Sequence, residues 1–340
     1  MNTLPPAELP HLQLGFMPLL DCVLLVVARE RGLFADQGLE VTLSRQNAWS
    51  TLRDKVAAGL LDGAHMLAPM PLAMSLGLER APCDTLAPIT LSRNGNAIVL
   101  SRELADACSA RLGDDPAASA RALAGFLPGT SRPPRLAMVY PHSCQHYQLR
   151  HWLGLGSIDA NRTVELVALP PPRMVDAMQQ GKIDGFCVGE PWGSLAEHRQ
   201  AGRIVASGAQ LWPDQPEKVL GVTRSWARHY PATLARLIRA LVAASDWLAE
   251  SPAHRRQARD WLALPPYLDR SVEHLETLPF DTPPLRQRLC GIDVLRPDPV
   301  FAERLADQLD QHLRGRGQRL DLATLGECYS AVHFDRALHH

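Results

Sequence analysis

Cysteine and histidine side chains are the first candidates for chemistry, because they supply nucleophiles, general bases and metal ligands. No two of the seven cysteines stand in a Cys-X-X-Cys spacing, which favours neither a disulfide framework nor a zinc site. The seven are Cys22, Cys83, Cys108, Cys144, Cys187, Cys290 and Cys328. His142, His146 and His151 lie close in sequence but do not form a standard metal spacing with a carboxylate. We therefore expect no metal and no cofactor.

The remaining candidates also point away from catalysis. Glu190 stands in Gly-Glu-Pro-Trp before a predicted helix, where a carboxylate is expected to cap the helix N-terminus. His65 lies on a short predicted strand, which favours a histidine packed in the core. The sequence contains no glycine-rich phosphate loop, serine-hydrolase elbow or Cys–His pair. These patterns predict a binding protein that is not an enzyme.

Length and composition are those of a soluble globular protein. The chain has 340 residues, of which 46% are hydrophobic and 21% charged. At roughly 100–200 residues per domain, this length predicts two domains. The formal net charge of −1 gives no reason to expect direct contact with nucleic acid or an anionic membrane.

The N-terminal segment and the cysteines suggest a location. Residues 1–10, MNTLPPAELP, lack the basic start and apolar core of a signal peptide. The longest apolar stretch, 22–28, is too short to span a bilayer. Scattered cysteines suit a reducing compartment. We therefore expect a cytoplasmic protein.

Alternating strand and helix patterns must position any site in the first two thirds of the chain. Strands are predicted at 12–16, 39–43, 63–67, 97–101, 135–139, 164–168, 183–188 and 219–223. Helices are predicted at 20–31, 49–60, 70–76, 114–127, 145–153, 170–180 and 191–200. After residue 231 the chain is predicted to be mainly helical. Repeated βαβ units predict an α/β protein with mostly parallel sheets and helices on both faces.

Four segments resemble a known family of binding proteins. They are RGLFADQGLEV at 31–41, Trp49 with DGAHMLAPMP at 62–71, PPPRMV at 170–175 with DGFCVGEPW at 184–192, and PEKVLG at 216–221. Over about residues 12–261 the chain resembles the nitrate/bicarbonate/sulfonate-binding proteins, most closely the nitrate-binding branch. The resemblance implies a two-lobed, type II periplasmic-binding-protein-like fold with a hinge and a ligand cleft between the lobes. It assigns 1–96 plus 213–340 to lobe 1 and 97–212 to lobe 2.

The resemblance also implies a set of ligand-binding residues. Trp49 and Lys218 match the ligand tryptophan and lysine of nitrate receptors, Asn96 matches an amide position, and Pro171 is expected to line the pocket. Gln145 stands where such receptors carry a histidine, so an amide N–H would replace an imidazole N–H without its pH dependence.

Nitrate explains why such residue types are suitable. It carries three acceptor oxygens and no donor, so its site needs donors, one of them charged. Thr51 and Gln148 are secondary candidates on the same grounds. We expect Lys218→Ala to abolish anion binding and to leave the fold intact.

Within the family, the chain resembles most closely the cytoplasmic nitrate/nitrite sensors of the NasS type. That resemblance implies nitrate or nitrite as ligand and, as partner, a NasT-like ANTAR RNA-binding antiterminator that is held inactive until the anion binds. One alternative is the substrate-binding protein of a nitrate ABC uptake transporter. Another is an enzyme resembling the pyrimidine synthases of this fold, although Cys187 stands alone where those enzymes carry a cysteine-rich motif. Bicarbonate, whose O–H needs an acceptor, and sulfonates, which carry an organic tail, are competing ligands.

Overall fold

The structure, a computed structural model, describes residues 4–113, 115–270, 275, 285–314 and 327–339. The chain divides into two compact units. Unit 1 comprises Met1–Arg93, Pro216–Arg270 and Leu289–His340, and unit 2 comprises Asn94–Gln215 and Ser271–Arg288. The unit boundaries lie a few residues from the predicted lobe boundaries, except that Ser271–Arg288 groups with unit 2.

The described residues form ten strands and a larger number of helices. The strands are β1 (His11–Phe16), β2 (Glu40–Arg45), β3 (Gly63–Leu67), β4 (Thr85–Arg93), β5 (Asn96–Ser101), β6 (Arg135–Met138), β7 (Glu165–Ala168), β8 (Gly185–Gly189), β9 (Gly202–Ser207) and β10 (Pro216–Thr223). The first helices are α1 (Val23–Glu30), α2 (Leu33–Asp36), α3 (Trp49–Ala57), α4 (Pro69–Ser75), α5 (Arg102–Ala107), α6 (Pro116–Phe126) and α7 (Cys144–Leu155). They are followed by α8 (Pro171–Gln179), α9 (Trp192–His198), α10 (Gly208–Leu211), α11 (Arg224–His229), α12 (Pro231–Glu250) and α13 (Pro252–Ala263). The C-terminal helices are Ile292–Leu295, Pro299–Arg314 and Val332–His339, and short 3-10 turns lie at Leu20–Cys22 and Leu127–Gly129.

Unit 1 is built on a five-stranded sheet with the order β2-β1-β3-β10-β4. β1 pairs in parallel with β2 and β3, whereas β10 runs antiparallel to β3 and β4. Every residue of β3 and β4 is buried, because the helices of the unit cover the sheet. The carboxyl ends of β1, β2 and β3 and the first residues of β10 therefore lie at the same edge of this sheet.

Unit 2 repeats the arrangement with the order β7-β6-β8-β5-β9. β6 is parallel to β7 and β8, and β5 is antiparallel to β8 and β9. One face of the sheet packs on a core that includes Trp152, Leu149 and Leu153 of α7. The indole Nε1 of Trp152 donates to Ser119 Oγ of α6 at 3.0 Å, which fixes α7 against its neighbour.

The predicted α/β fold is confirmed, and each of the eight predicted strands overlaps an observed one. The prediction of mostly parallel sheets is wrong. Both sheets are mixed, because β5 and β10, the first strands after the chain passes between units, run antiparallel to their neighbours. β4 and β9 were not predicted, and both lie at a sheet edge. Pro88 interrupts the strand pattern of β4 in sequence. An edge strand tolerates proline because the backbone N–H groups on its outer side form no hydrogen bonds to a neighbouring strand. Among the described residues, no helix is both long enough and apolar enough to span a membrane.

Candidate functional site

The candidate residues of unit 1 gather at the carboxyl-end edge of its sheet. Asp21 lies in the 3-10 turn after β1, and Trp49 is the first residue of α3, after β2. Lys218 lies near the start of β10 and pairs with Leu67, the last residue of β3. In open α/β sheets ligands bind at this edge, because the loops and helix N-termini that follow parallel strands converge there.

Lys218 is fully buried and already paired with two carboxylates. Its Nζ lies 3.0 Å from Asp21 Oδ2 and 3.0 Å from Glu217 Oε1. Asp21 Oδ1 lies 2.9 Å from His65 Nε2 and its Oδ2 lies 3.5 Å from Ser92 Oγ. We call Lys218, Asp21, Glu217 and His65 the Lys218 cluster. A buried charge of this kind is tolerable only when it is paired and hydrogen-bonded.

The pairing sets the charge of each member of the Lys218 cluster. Burial alone would lower the pKa of Lys218, but Asp21 and Glu217 raise it above its ordinary value. Burial would raise the pKa of Asp21, yet Lys218 and His65 together hold it below its usual range. Burial lowers the pKa of His65 by more than Asp21 raises it. At neutral pH the lysine and Asp21 are therefore ionised and the histidine is neutral.

Trp49 provides a donor beside this cluster. Its side chain is 2% exposed, and its indole Nε1 is buried without a hydrogen-bond partner among the described residues. Lys218 Nζ lies 5.9 Å from the centre of the Trp49 ring, and the His65 ring centre lies 6.1 Å from it. α3 begins at Trp49 without a side-chain cap, because the side chain of Ala48 has no oxygen that could accept a hydrogen bond. This edge of unit 1 therefore offers hydrogen-bond donors and positive charge to a small acceptor: the Trp49 indole N–H, the N-terminus of α3 and the Lys218 ammonium group.

Unit 2 places amide side chains at the equivalent edge of its own sheet. Asn96 is the first residue of β5 and pairs with Gly189, the last residue of β8. Gln145 and Gln148 lie in the first turns of α7, after β6, and their three-residue spacing puts them on one face. Ser143 caps α7 by accepting the backbone N–H of His146 at 3.1 Å, which fixes where the helix begins.

The three amides form a continuous hydrogen-bonded chain. Gln145 Nε2 donates to Asn96 Oδ1 at 2.8 Å, and Asn96 Nδ2 donates to Gln148 Oε1 at 2.8 Å. All three side chains are at most 1% exposed. With these amide orientations, Gln148 Nε2 is a buried donor without a partner among the described residues. The structure thus gives the secondary candidate Gln148 the open donor, whereas Gln145 donates to Asn96.

The other candidates lie outside these contacts. Pro171 is buried and is the first residue of α8, so it sets the start of that helix. Thr51 is exposed on α3, and no described contact joins its side chain to the Lys218 cluster.

Glu190 caps α9 as predicted, because its carboxylate oxygens accept the backbone N–H of Ser194 at 3.3 Å. Burial raises the pKa of Glu190 to about 7, against the opposing effect of the Ser194 hydrogen bonds. The residue is 1% exposed, so the charge state of this cap is sensitive to pH near neutrality.

Asp21 and Glu217 are the members of the Lys218 cluster that sequence reasoning missed. Asp21 lies next to an apolar run predicted to be helical, and only its burial reveals that it needs a charged partner. The one sequence signal was the position of Asp21 beside the apolar stretch 22–28, which shows the charge but not its partner. The described residues contain no group of three or more His, Cys, Asp or Glu side chains able to hold a metal ion.

Several relatives of the chain have names that refer to nitrate or bicarbonate. The nitrate import ATP-binding protein NrtC of Synechocystis sp. is 42% identical over 267 residues, covering 78% of this chain and 39% of that protein. The bicarbonate transport ATP-binding protein CmpC of the same organism is 38% identical over 270 residues, covering 79% and 39%. The nitrate/nitrite binding protein NrtA of Synechococcus elongatus is 33% identical over 278 residues, covering 79% and 61%. The chain thus spans between 39% and 61% of the length of these relatives.

Comparison with solved structures identifies the fold. The periplasmic nitrate-binding protein NrtA from Synechocystis superposes with a TM-score of 0.87 at 23% identity, over 98% of this chain and 90% of that one. This likeness confirms the predicted two-domain periplasmic-binding-protein fold. A family model described as NMT1-like matches residues 5–263. The chain therefore belongs to the NMT1-like family of periplasmic-binding-protein-fold proteins, alongside the nitrate-binding proteins that it resembles.

Proposed function

We propose that this chain binds nitrate or nitrite, with Trp49 and Lys218 as ligand donors. The observation that carries the proposal is the buried indole Nε1 of Trp49, which has no partner among the described residues although Lys218 Nζ lies 5.9 Å from its ring. A buried donor without a partner costs about 1–3 kcal/mol. An anion that accepts this N–H and contacts the ammonium group removes that cost.

The amides of unit 2 extend the proposal. Gln148 Nε2 is a second buried donor without a partner among the described residues, and Asn96 and Gln145 hold it in place through the amide chain. A planar anion with acceptors only can use such donors without leaving a donor of its own unsatisfied. We therefore propose that Gln148, held in place by Asn96 and Gln145, is also able to donate to such an anion.

Bicarbonate is the second candidate ligand, and one observation favours it. Asp21 and Glu217 place carboxylate oxygens 3.0 Å from Lys218 Nζ, and such oxygens can accept the O–H that bicarbonate carries and nitrate lacks. The name of the relative CmpC adds weight to this candidate. Against it, both carboxylates already accept hydrogen bonds or ion pairs inside the Lys218 cluster, and Trp49 and Gln148 offer donors. The lone pair of His65 Nδ1 is the open acceptor that could serve bicarbonate, and the titration decides between the two ligands.

We further propose that the chain acts in the cytoplasm as a nitrate/nitrite sensor that restrains a NasT-like ANTAR RNA-binding antiterminator. Two observations support this role. The seven cysteines are thiols, which suits a reducing compartment. Gln145 departs from the histidine of the nitrate uptake receptors that the chain resembles, as expected for a member with a different task. By linkage, a partner that is released by the anion must weaken anion binding by the same factor.

Substrate binding for a nitrate ABC uptake transporter is the alternative role, and the name of the relative NrtC favours it. The two roles share the ligand and differ in the partner. Size-exclusion chromatography of the chain mixed with a NasT-like antiterminator distinguishes the two roles. The sensor role requires a complex that dissociates when nitrate or nitrite is added, and no complex under any ligand condition would contradict it.

Calorimetric titration tests the ligand proposal. The dialysed protein is titrated with nitrate, nitrite, bicarbonate and taurine in a chloride-free buffer. We expect saturable one-to-one binding of nitrate or nitrite, and a loss of about tenfold or more in affinity for Trp49→Phe, because a hydrogen bond to a charged group contributes about 1.5–3 kcal/mol. Trp261→Phe, a change at a half-buried tryptophan of α13, is the matched control and should bind normally. Binding of bicarbonate alone, or of none of the four, would contradict the proposal.

A further inference from the structure

The positive charge of Lys218 is already paired inside the Lys218 cluster. Its Nζ lies 3.0 Å from the ionised Asp21 carboxylate and 3.0 Å from Glu217 Oε1, and all three side chains are at most 1% exposed. His65 adds no charge at neutral pH, because its burial favours the neutral ring. A monovalent anion that approaches Lys218 therefore also approaches the carboxylate of Asp21. At short range in a buried setting the repulsion between these two negative charges is substantial.

His65 has one nitrogen that can accept a proton. Its Nε2 lies 2.9 Å from Asp21 Oδ1, and an ionised carboxylate only accepts hydrogen bonds, so Nε2 carries the ring hydrogen. Nδ1 is consequently the nitrogen with the lone pair, and it is buried without a partner among the described residues. Protonation at Nδ1 would leave the bond to Asp21 intact and would turn the ring into a cation.

The surroundings of His65 favour such a cation once an anion is present. The 3-10 turn after β1 contributes the Asp21 carboxylate, and β10 contributes the Lys218 ammonium and the Glu217 carboxylate. β4 contributes the uncharged Ser92 hydroxyl to Asp21, and α3 contributes the Trp49 ring. Lys218 opposes protonation of His65, while Asp21 and the incoming anion support it.

We infer that the anion binds together with one proton, which is taken from the solvent by Nδ1 of His65. The inference rests on the proposed function, since it requires an anion beside Lys218. The step forms one N–H bond on the ring and breaks the bond to hydrogen in a buffer acid, whose conjugate base remains in solution. The anion and the proton on His65 together add no net charge to the Lys218 cluster.

Proton uptake makes anion affinity depend on pH. Where His65 is neutral in the free protein and protonated in the complex, the dissociation constant should rise by up to about tenfold per unit of pH. This dependence arises in unit 1, so the glutamine at position 145 does not remove it.

Calorimetry in two chloride-free buffers of different ionisation enthalpy measures the proton directly. Nitrate is titrated into the full chain at the same pH in each buffer. The observed enthalpy should change with buffer ionisation enthalpy with a slope of about one proton taken up per anion. His65→Gln retains an amide N–H that can donate to Asp21 but has no titrating nitrogen, so it should bind nitrate with a slope near zero. His11→Gln, at an exposed histidine of β1, should keep the wild-type slope.

The outcomes separate this inference from the proposed function. Saturable binding with a slope of zero in the wild-type chain would overturn proton coupling and leave anion binding in place. A slope near one that persists in His65→Gln would overturn His65 as the acceptor. Absence of saturable binding by any anion in both buffers would overturn the proposed function instead. The wild-type comparison needs no variant, so it remains decisive even if His65→Gln fails to fold.

Discussion

Removing the charge of Lys218 should unfold unit 1 more readily as well as weaken anion binding. Lys218→Met keeps much of the side-chain volume but leaves Asp21 and Glu217 buried without the ammonium group that lies 3.0 Å from each of them. Breaking a buried ion pair by removing one partner costs about 3–5 kcal/mol, because the remaining charge has lost its compensation. Two carboxylates depend on this lysine, so we expect the upper part of that range. The simpler expectation that a change at Lys218 leaves the fold intact is therefore revised.

Urea unfolding followed by circular dichroism measures this loss, with the free energy of unfolding obtained by linear extrapolation. In a thermal melt of a domain of 150–250 residues each kcal/mol shifts the melting temperature by about 2–4 °C, so a loss of about 4–5 kcal/mol should lower the first melting transition by roughly 8–20 °C. Lys182→Met changes an exposed lysine and should stay within about 0.5 kcal/mol of wild type.

A compensating variant separates charge from packing. Adding Asp21→Asn and Glu217→Gln to Lys218→Met removes the uncompensated charges, so the triple variant should recover part of the lost stability. A Lys218→Met protein within about 1 kcal/mol of wild type would refute the reasoning, because a fully buried lysine with two partners could not then be holding their charges in place.

Three further predictions concern unit 2. Because burial raises the pKa of Glu190 to about 7, above its unfolded value of about 4.3, the folded state binds the proton more tightly and stability falls as pH rises between these values. Between about pH 5 and about pH 8 this fall should be roughly 3 kcal/mol at most in the free energy of urea unfolding, and Glu190→Gln should abolish it. Gln148→Leu should weaken nitrate binding about tenfold in calorimetry, whereas Gln257→Leu on the exposed face of α13 should not. Gly156→Ala would place a Cβ 2.5 Å from the Ala120 carbonyl oxygen and should destabilise by about 1–3 kcal/mol. Gly154→Ala, inside α7 and two residues before Gly156, meets nothing within 4 Å and should stabilise by about 0.5–1 kcal/mol.

The sequence predicted the elements that carry the site because hydrophobic spacing and turn residues are local signals. The predicted strands before Trp49 and Gln145 overlap the observed ones, and the strand predicted at 219–223, just after Lys218, overlaps β10, which carries that residue. The edge strand β4 was missed because Pro88 breaks its pattern, and an edge position is a property of the assembled sheet.

Charge pairing could not be predicted in the same way. Asp21 and Lys218 are far apart in sequence and meet because β10 inserts between β3 and β4 in the sheet. The donor roles within the amide chain likewise depend on contacts between β5 and α7, which no local pattern encodes. Residue types therefore predicted which side chains could bind an anion, whereas their protonation states and partners required the fold.

The central claim is that the Trp49 indole donates to the bound anion, and nuclear magnetic resonance tests it most directly. The seven tryptophans give seven indole N–H resonances in a protein labelled with nitrogen-15 at tryptophan, and Trp49→Phe identifies the one from Trp49. We predict that saturating nitrate or nitrite moves the Trp49 indole resonance further than any other, downfield as expected for a new hydrogen bond to an anion. Saturable binding by calorimetry with the Trp49 resonance unmoved would contradict the account.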